Sequence, residues 1–420
     1  MMTLNLAIRN IFRHRTRSLI TISAIAFGAT AVIFVGGFFE DILYKMQESY
    51  IKAHTGHLQI YRRGFFEKGN AQPFDFLIEQ PENLVPLIGR MPGIRSVARR
   101  IQTAGLLSTG ENTVSCFAQG VEPALEPATK LADVGLSGRD DALTGGSVIE
   151  HGEPLDENEP YQVVLGRGLA AGIGAKTGDD LILVAHTVGG SINALDVKVR
   201  GIFFTSSKPF DDYALRLPLT TAQQLLQTEA VQALVVLLDR TDHTDEIRNQ
   251  LARLFAQRQL DLDIKTWYEL NDEYTKAKEF LWRMFIILKI VVAIIVVLSI
   301  YNTMNMAVLE RITEIGTLMA LGTKRSGVWR LFLYEGAALG LIGGSLGLLI
   351  GVIFTLIIQR IGIPMPPPPG ATMSWHSTPV IVLSSMWFAL WLSVVTALVS
   401  SFHPAYKASR LGIAEALRHA

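Results

Sequence analysis

The chain has 420 residues, 49% of them hydrophobic and only 18% charged, against about 25% charged in an ordinary soluble domain. Lys+Arg and Asp+Glu are equal at 38 each, so no global charge favours nucleic acid, and none is expected as a partner. The one cysteine, Cys116, excludes an internal disulfide framework and any cysteine-based zinc site.

The N-terminal segment, 1–39, carries Arg9, Arg13, Arg15 and Arg17 ahead of an uncharged run from Ser18 to Phe38. That run is about 20 residues, enough for a helix to cross about 30 Å of hydrocarbon. It is longer than a signal-peptide core and lacks an A-x-A-like exit. It reads as an uncleaved anchor whose basic start stays in the cytoplasm.

Residues 40–279 are soluble in character and long enough for one or two domains. His57 to Tyr61, Gln162 to Leu165, Asp180 to Val184 and Asp196 to Phe203 are strand candidates, and Val231 to Leu238 is a buried-strand run. Pro81 to Met91, Thr220 to Ala230 and His243 to Arg258 carry helical signals. The middle, about 110–213, is mostly β with Gly and Asp turns. The expectation is an α+β domain carrying a β-rich insertion.

Membrane character then returns. A second span occupies 280–309, with apolar residues from Phe285 to Leu309 and Lys289 placed to snorkel at its outer end. The third, 331–358, carries Glu335 near its inner end and Gly340, Gly343, Gly344, Gly347 and Gly351. Small residues at that spacing let another helix approach closely, and a merely Gly-tolerant span would look the same. A Pro-rich loop, 359–379, includes PMPPPPG from Pro364 to Gly370, which reads as extended polyproline that neither helix nor sheet survives. The fourth span is 380–403 and the C-terminal tail 404–420. Arg311, Lys324, Arg325 and Arg330 flank one short loop and Lys407, Arg410 and Arg418 sit in the tail, so both termini are expected in the cytoplasm. The fold class is thus an α-helical membrane protein of four transmembrane helices. An extracytoplasmic α+β domain lies between helices 1 and 2.

Between spans two and three lies 310–330, ERITEIGTLMALGTKRSGVWR. Ile312, Ile315, Leu318 and Met319 recur at helical spacing, while Glu310, Arg311 and Glu314 fall towards the other side. Gly322 breaks the helix, and Thr323 or Ser326 can cap the next one. Such a helix lies at the membrane surface, presses into a groove on a partner, or simply connects two spans.

Motifs for chemistry are missing. There is no G-x-x-x-x-G-K-[ST], no G-x-S-x-G, no HExxH and no nucleophile–base constellation. No catalytic residue and no metal site is therefore expected. His54 and His57 form an H-x-x-H without a third ligand, and Gly135 to Gly146 lacks the EF-hand order. Asp179, Asp211 and Asp212 read as turn formers. Lys289 and Glu335 both lie near span ends, which favours snorkelling or local pairing.

ERITEIGTLMALGTKRSGVWRLFLYEG resembles the cytoplasmic loop of the FtsX/MacB/LolC-type ABC transporter permeases. The tail, Pro404 through Arg418, is similar to that family's closing P-A-x-x-A-…-E-A-L-R pattern. GHLQIY, VVLGRGLA, GDDLILV and the span order also resemble the family's. The resemblance implies a porter-like outer domain, two permease copies (homodimer or heterodimer) and two copies of an ABC ATPase subunit that binds ATP and Mg. No cofactor is implied in this chain. It implies an ATPase-coupling helix built from Glu310, Arg311, Ile312, Glu314, Ile315, Gly316, Leu318, Ala320 and Gly322. Asn302, Asn305, Gly340, Gly343, Gly344 and Gly347 would serve transmembrane dimer packing; ordinary helix–helix contacts explain them as well. The size of the outer domain and the missing P-loop favour the lipoprotein-releasing LolC/LolE branch, with a periplasmic lipoprotein carrier. The alternatives are MacB-like export of drugs or peptides through an adaptor protein and an outer-membrane channel, and FtsX-like signalling without transport. The hairpin-like Ala185 to Ala194 falls where LolC carries its docking hook but lacks the expected prolines. The expected location is the bacterial inner membrane, within the lipid bilayer.

Overall fold

The computed structural model describes residues 13, 15–69, 72–125, 147–205, 207–366 and 375–410. Arg9, the Gly135–Gly146 stretch, Pro367 to Pro369 and the tail pattern through Glu415 and Arg418 lie outside them. The chain divides into two compact units. One comprises Met1–Leu43, Ala277–Ile363 and Ser377–Ala420; the other comprises Tyr44–Lys276 and Pro364–His376.

Helix α1 spans Arg15–Tyr50 and passes directly into a π-helical turn, Ile51–Thr55. It outlasts the uncharged run because Glu40 to Ser49 contains neither Gly nor Pro and nothing in it stops a helix. Its 36 residues reach roughly 54 Å, well beyond a hydrocarbon core.

The large unit begins with strand β1 (Leu58–Arg62), helix α2 (Pro81–Gly89), and strands β2 (Ile94–Ser108) and β3 (Thr113–Val121). It continues through β4 (Val148–Gly152), β5 (Gln162–Gly166), α3 (Arg167–Ile173), β6 (Asp180–His186) and β7 (Ile192–Phe204). It closes with β8 (Ala214–Pro218), α4 (Leu219–Leu226), β9 (Ala233–Leu238), α5 (Thr244–Gln257) and β10 (Leu262–Thr266). The strand order begins β10-β1-β9-β2, with every neighbouring pair antiparallel. Two β-α-β units, β1-α2-β2 and β9-α5-β10, are interleaved in the split arrangement.

The β-rich lobe is inserted between β2 and β9, and it starts inside a strand. Ile94 to Arg100 of β2 pair with β9, whereas Ile101 to Ser108 pair with β3. One strand therefore serves both parts, and the lobe begins ahead of the turn at Gly110. Strand β9 is buried along its whole length, as its unbroken apolar run predicts. Ala185 to Ala194 is a simple hairpin tip, with His186 opposite Ile192 and the Thr187 amide donating to the Ser191 carbonyl. Asp179 acts as a turn former, accepting from the Lys176 amide, whereas Asp211 ends a short helix, Lys208–Asp211, and its buried carboxylate accepts from the Thr205 amide.

The apolar unit adds helix α6 (Asp272–Glu310), which starts well ahead of Phe285, then α7 (Ile312–Ala320) and α8 (Arg325–Ile361). Ile363–Met365 (β11) and Trp375–Ser377 (β12) pair as a two-stranded ribbon, which corrects the expectation that no sheet survives at Pro364. A short ribbon is all edge, so a proline without an amide hydrogen costs it little. Helix α9 spans Leu383–Ser409. Among the described residues, four helices are long and apolar enough to cross a membrane: α1 with its π turn, α6, α8 and α9.

Helix α8 carries two glycine rows at i, i+4 spacing. A Cβ on Gly336 or Gly340 would strike Ser401 or Ala397 of α9, and one on Gly344 would crowd Ser393; one on Gly343 or Gly347 would strike Ile25 or Ala26 of α1, and one on Gly351 would crowd Ile33. The close helix approach that the sequence predicts at Gly340, Gly343, Gly344 and Gly347 is therefore intramolecular. This corrects their expected place in a contact between two copies, because α1 and α9 of the same chain already cover them.

A Cβ at Gly347 would lie 2.6 Å from the Ala26 carbonyl oxygen, so Gly347→Leu should abolish the monodisperse detergent-solubilised protein. Gly172→Ala, which meets nothing within 4 Å, should leave it unchanged in size-exclusion chromatography. The His57 ring is buried; its Nδ1 accepts from the Leu238 amide and its Nε2 bonds Thr241 Oγ1 at 3.1 Å. Burial lowers its pKa from 6.5 to about 4, with Glu48 opposing and Lys52 assisting. The folded state thus binds this proton more weakly than the unfolded chain. Stability is fully present above pH 6.5 and is lost as pH falls towards 4. Thermal unfolding across that window should show the fall, and His57→Gln should flatten it.

Candidate functional site

The segment linking α6 to α8 is built on a broken helix. Helix α6 ends at Glu310, and Arg311 has φ −110° and ψ 18°, outside helical geometry. The periodicity that groups Glu310, Arg311 and Glu314 assumes one uninterrupted wheel, and the break rotates Arg311 off it. Arg311 turns inward, which corrects its expected place on the polar face. Its Nη1 lies 3.1 Å from Glu335 Oε2 on α8, and both side chains are only 7% exposed. Each charge offsets part of the other's desolvation penalty, so removing one alone leaves a buried, uncompensated charge. Glu335 is therefore a local pair, one of the two readings left open for it.

Glu310 and Glu314 stay on the outer side and meet the start of α1. Arg17 Nη2 donates to Glu310 Oε1, and Arg13 Nη1 lies 2.9 Å from Glu314 Oε1. Arg13 and Glu314 are largely exposed, and an exposed pair is worth about 0–1 kcal/mol. Its value lies in orientation. Deeper in the unit, the Thr21 hydroxyl donates to Thr303 Oγ1 at 2.7 Å, tying α1 to α6 as well.

Helix α7 buries Ile315, Gly316 and Met319 in the core that includes Val308, Val328 and Phe332. Ile312 and Leu318 are half-buried. The opposite stripe, Glu314, Thr317 and Ala320, is exposed, and it ends in Leu321, whose side chain is 80% exposed. Gly322 takes φ +94°; its amide donates to the Met319 carbonyl and the Thr323 amide donates to that of Leu318. This is a Schellman stop, which needs a residue at ease in the left-handed region. Helix α8 then starts after Lys324 without a side-chain cap, so neither Thr323 nor Ser326 plays the expected capping role. The segment can thus present a short, rigid helix with small residues, one carboxylate and one apolar knob to a groove.

Other predicted residues are placed elsewhere. Lys289 does not simply snorkel: its Nζ lies 4.0 Å from the Phe285 ring centre and 4.1 Å from that of Phe388, pinning α6 to α9. Asn302 is exposed and Asn305 half-buried on α6. His54 packs edge-on against Phe210. Among the described residues, no three His, Cys, Asp or Glu side chains gather as a metal set.

Residues 18–254 match the MacB-like periplasmic core domain, and residues 286–413 match the FtsX-like permease C-terminal domain. The chain belongs to the MacB/FtsX family of ABC transporter permeases. Among its relatives is an uncharacterized ABC transporter permease of Methanocaldococcus jannaschii, 26% identical over 64% of this chain and 65% of that one. The lipoprotein-releasing system transmembrane protein LolC of Xylella fastidiosa is 25% identical over 80% of this chain and 81% of its own length. A macrolide export ATP-binding/permease protein MacB of Rhodopirellula baltica is 28% identical over 50% of this chain, but over only 30% of its own length. As a MacB/FtsX-type permease, the chain is a membrane component of an ABC transporter, and its large unit is the counterpart of a periplasmic core domain.

Glu335→Leu should destabilise this permease by about 3–5 kcal/mol, because Arg311 would stay buried and unbalanced. Arg311→Met combined with Glu335→Leu should recover most of that loss. A thermal-unfolding double-mutant cycle in detergent measures the coupling.

Proposed function

We propose that this permease transmits ATP-driven motion of a separate ABC ATPase to its periplasmic domain, and that the work done there is release of lipoproteins or lipid-linked cargo from the inner membrane. The observation that carries this reading is the mounting of α7. It is tied to α8 through Arg311–Glu335 and follows α6 directly, while Glu310 and Glu314 hold the start of α1. A push on Leu321 and its stripe is thereby delivered to several long helices at once. In this reading the coupling surface is Glu310, Glu314, Ala320 and Gly322, with Ile312 and Leu318 at its edges and Arg311, Ile315 and Gly316 acting from inside.

The short loops rich in Lys and Arg support a cytoplasmic position for α7 and both termini. ATP and Mg are held by the partner, two ATPase copies serving two permease copies. The lipoprotein reading is favoured over others by the length of the match to LolC, 357 residues. The match of residues 18–254 to a MacB-like periplasmic core domain favours a second reading, export through a periplasmic adaptor.

Replacing Leu321 with Asp should reduce copurification of the ATPase several-fold. Gly322→Val, strained at φ +94°, and Glu314→Ala should retain complex but uncouple ATP hydrolysis from cargo release. The assay follows radiolabelled lipoprotein leaving proteoliposomes that contain the permease and its copurified ATPase. Release at wild-type rate in all three variants would overturn the coupling role. ATP-dependent movement of a macrolide or peptide, with no lipoprotein release, would favour the second reading.

A further inference from the structure

The outer end of α1 is held in a way that the proposed function does not by itself require. From Tyr44 onward, this helix belongs to the large unit. It closes with the π turn Ile51–Thr55, where the Gly56 amide donates to the Ile51 carbonyl at 2.8 Å. A helix end leaves its last carbonyls without helical partners, and buried carbonyls must find others. Here three consecutive carbonyls are met by three side chains. Arg216 Nη2 donates to the Ala53 oxygen at 2.9 Å, Arg100 Nη1 to the His54 oxygen at 2.5 Å, and Gln59 Nε2 to the Thr55 oxygen at 2.8 Å.

All three donors are buried, Arg216 to 1% exposure. Each is itself held. Arg216 Nη1 also donates to Ser147 Oγ at 3.1 Å, and its guanidinium lies 4.5 Å from the Phe203 ring centre. The Tyr61 hydroxyl donates to Gln59 Oε1. Two positive groups at a helix C-terminus also complement its dipole. The turn into β1 is equally constrained: Gly56 has φ +65°, and a Cβ there would lie 2.5 Å from Val235.

The donors come from different parts of the fold. Gln59 is on β1 and Arg100 on β2, both members of the split β-α-β sheet. Arg216 is on β8, in the inserted lobe. The helix end is therefore gripped by both halves of the large unit at once. Nearby, the Tyr50 hydroxyl donates to Glu273 Oε2 at 3.2 Å, linking α1 to the first turn of α6. At the other end of α1, Arg13 and Arg17 hold the acids of the α7 segment.

We infer that Arg100 and Arg216, with Gln59, are positioning residues that form a socket for the end of α1 and transmit its displacement into both lobes of the periplasmic domain. This inference rests on the reading that ATP-driven motion crosses the membrane. A forked guanidinium suits the task because it can hold a carbonyl and a second partner in fixed geometry, which a lysine ammonium on a flexible stem does not. A helix end merely buried in an apolar patch could slide; one whose carbonyls are individually bonded cannot move without carrying the strands.

The test uses the full permease with its copurified ATPase in lipid nanodiscs. A spin label is attached at Asp196→Cys, an exposed position on β7, in both copies. Pulsed EPR distances are compared without nucleotide and with ATP and Mg trapped on the ATPase. In the parent, the distance distribution should shift on ATP binding; no shift there would overturn the transmission reading itself and the socket with it. Arg100→Lys, Arg216→Lys and their combination should keep ATP turnover within about two-fold yet lose at least half of the shift. A purely structural role would lower the unfolding temperature and leave the shift of the folded population at full size. That pattern would overturn the socket while leaving the transmission reading intact. Gln59→Leu, which removes one carbonyl partner and no charge, keeps the test decisive if the lysine variants fail to fold: a reduced shift supports the socket, and a full one overturns it.

Discussion

The pair formed by Arg311 and Glu335 is the constraint from which the membrane unit can be reasoned outward. A carboxylate buried on a largely apolar helix needs a partner that arrives without water. Arg311 can supply it only by turning inward, and it turns inward because the helix breaks between Glu310 and Ile312. The break makes α7 a separate short helix packed on the bundle, so that Ile315 and Met319 are buried and the Glu314, Thr317 and Ala320 stripe is left outward. One buried charge pair thus goes with which face of the segment is buried and which is left outward.

A second constraint is length. Helices α1 and α6 have 36 and 39 residues, far more than a bilayer needs. A third is close packing, set by the glycine rows of α8. They bring α1 and α9 to backbone contact on two sides, where dispersion contacts are dense and sliding is costly. The aromatic rings of Phe285 and Phe388 around the Lys289 ammonium add a further fixed point between α6 and α9.

The large unit solves a different problem, the joining of two lobes. Strand β2 does this by changing partners at Arg100 and Ile101. A continuous β-strand carries no local mark of where one neighbour ends and the next begins. The start of the inserted lobe is therefore invisible in the residues themselves, and a reading that looks for turn chemistry places it at the next glycine. The irregular burial of β2 and its three arginines, Arg95, Arg99 and Arg100, hide even the strand. Yet Arg100 is buried, with its Nη1 on the His54 carbonyl at the end of α1.

Periodicity and composition alone were enough for the four apolar helices, the α+β character of the domain between the first two, and the amphipathic segment after Glu310. Those properties depend on which residues repeat at short range, and short-range repetition is written in the chain. The partners of buried charges are not. Helical spacing puts Arg311 on a polar face because it says nothing about a single non-helical residue; Arg216 and Arg100 carry no mark in the sequence, because a basic residue in a strand is ordinarily solvated. The glycines of α8 announced a close approach but not whose helix would make it. Only the tertiary structure decided these matters, since a buried ion, an orphan carbonyl or a missing Cβ acquires its meaning from what folding brings within a few ångströms of it.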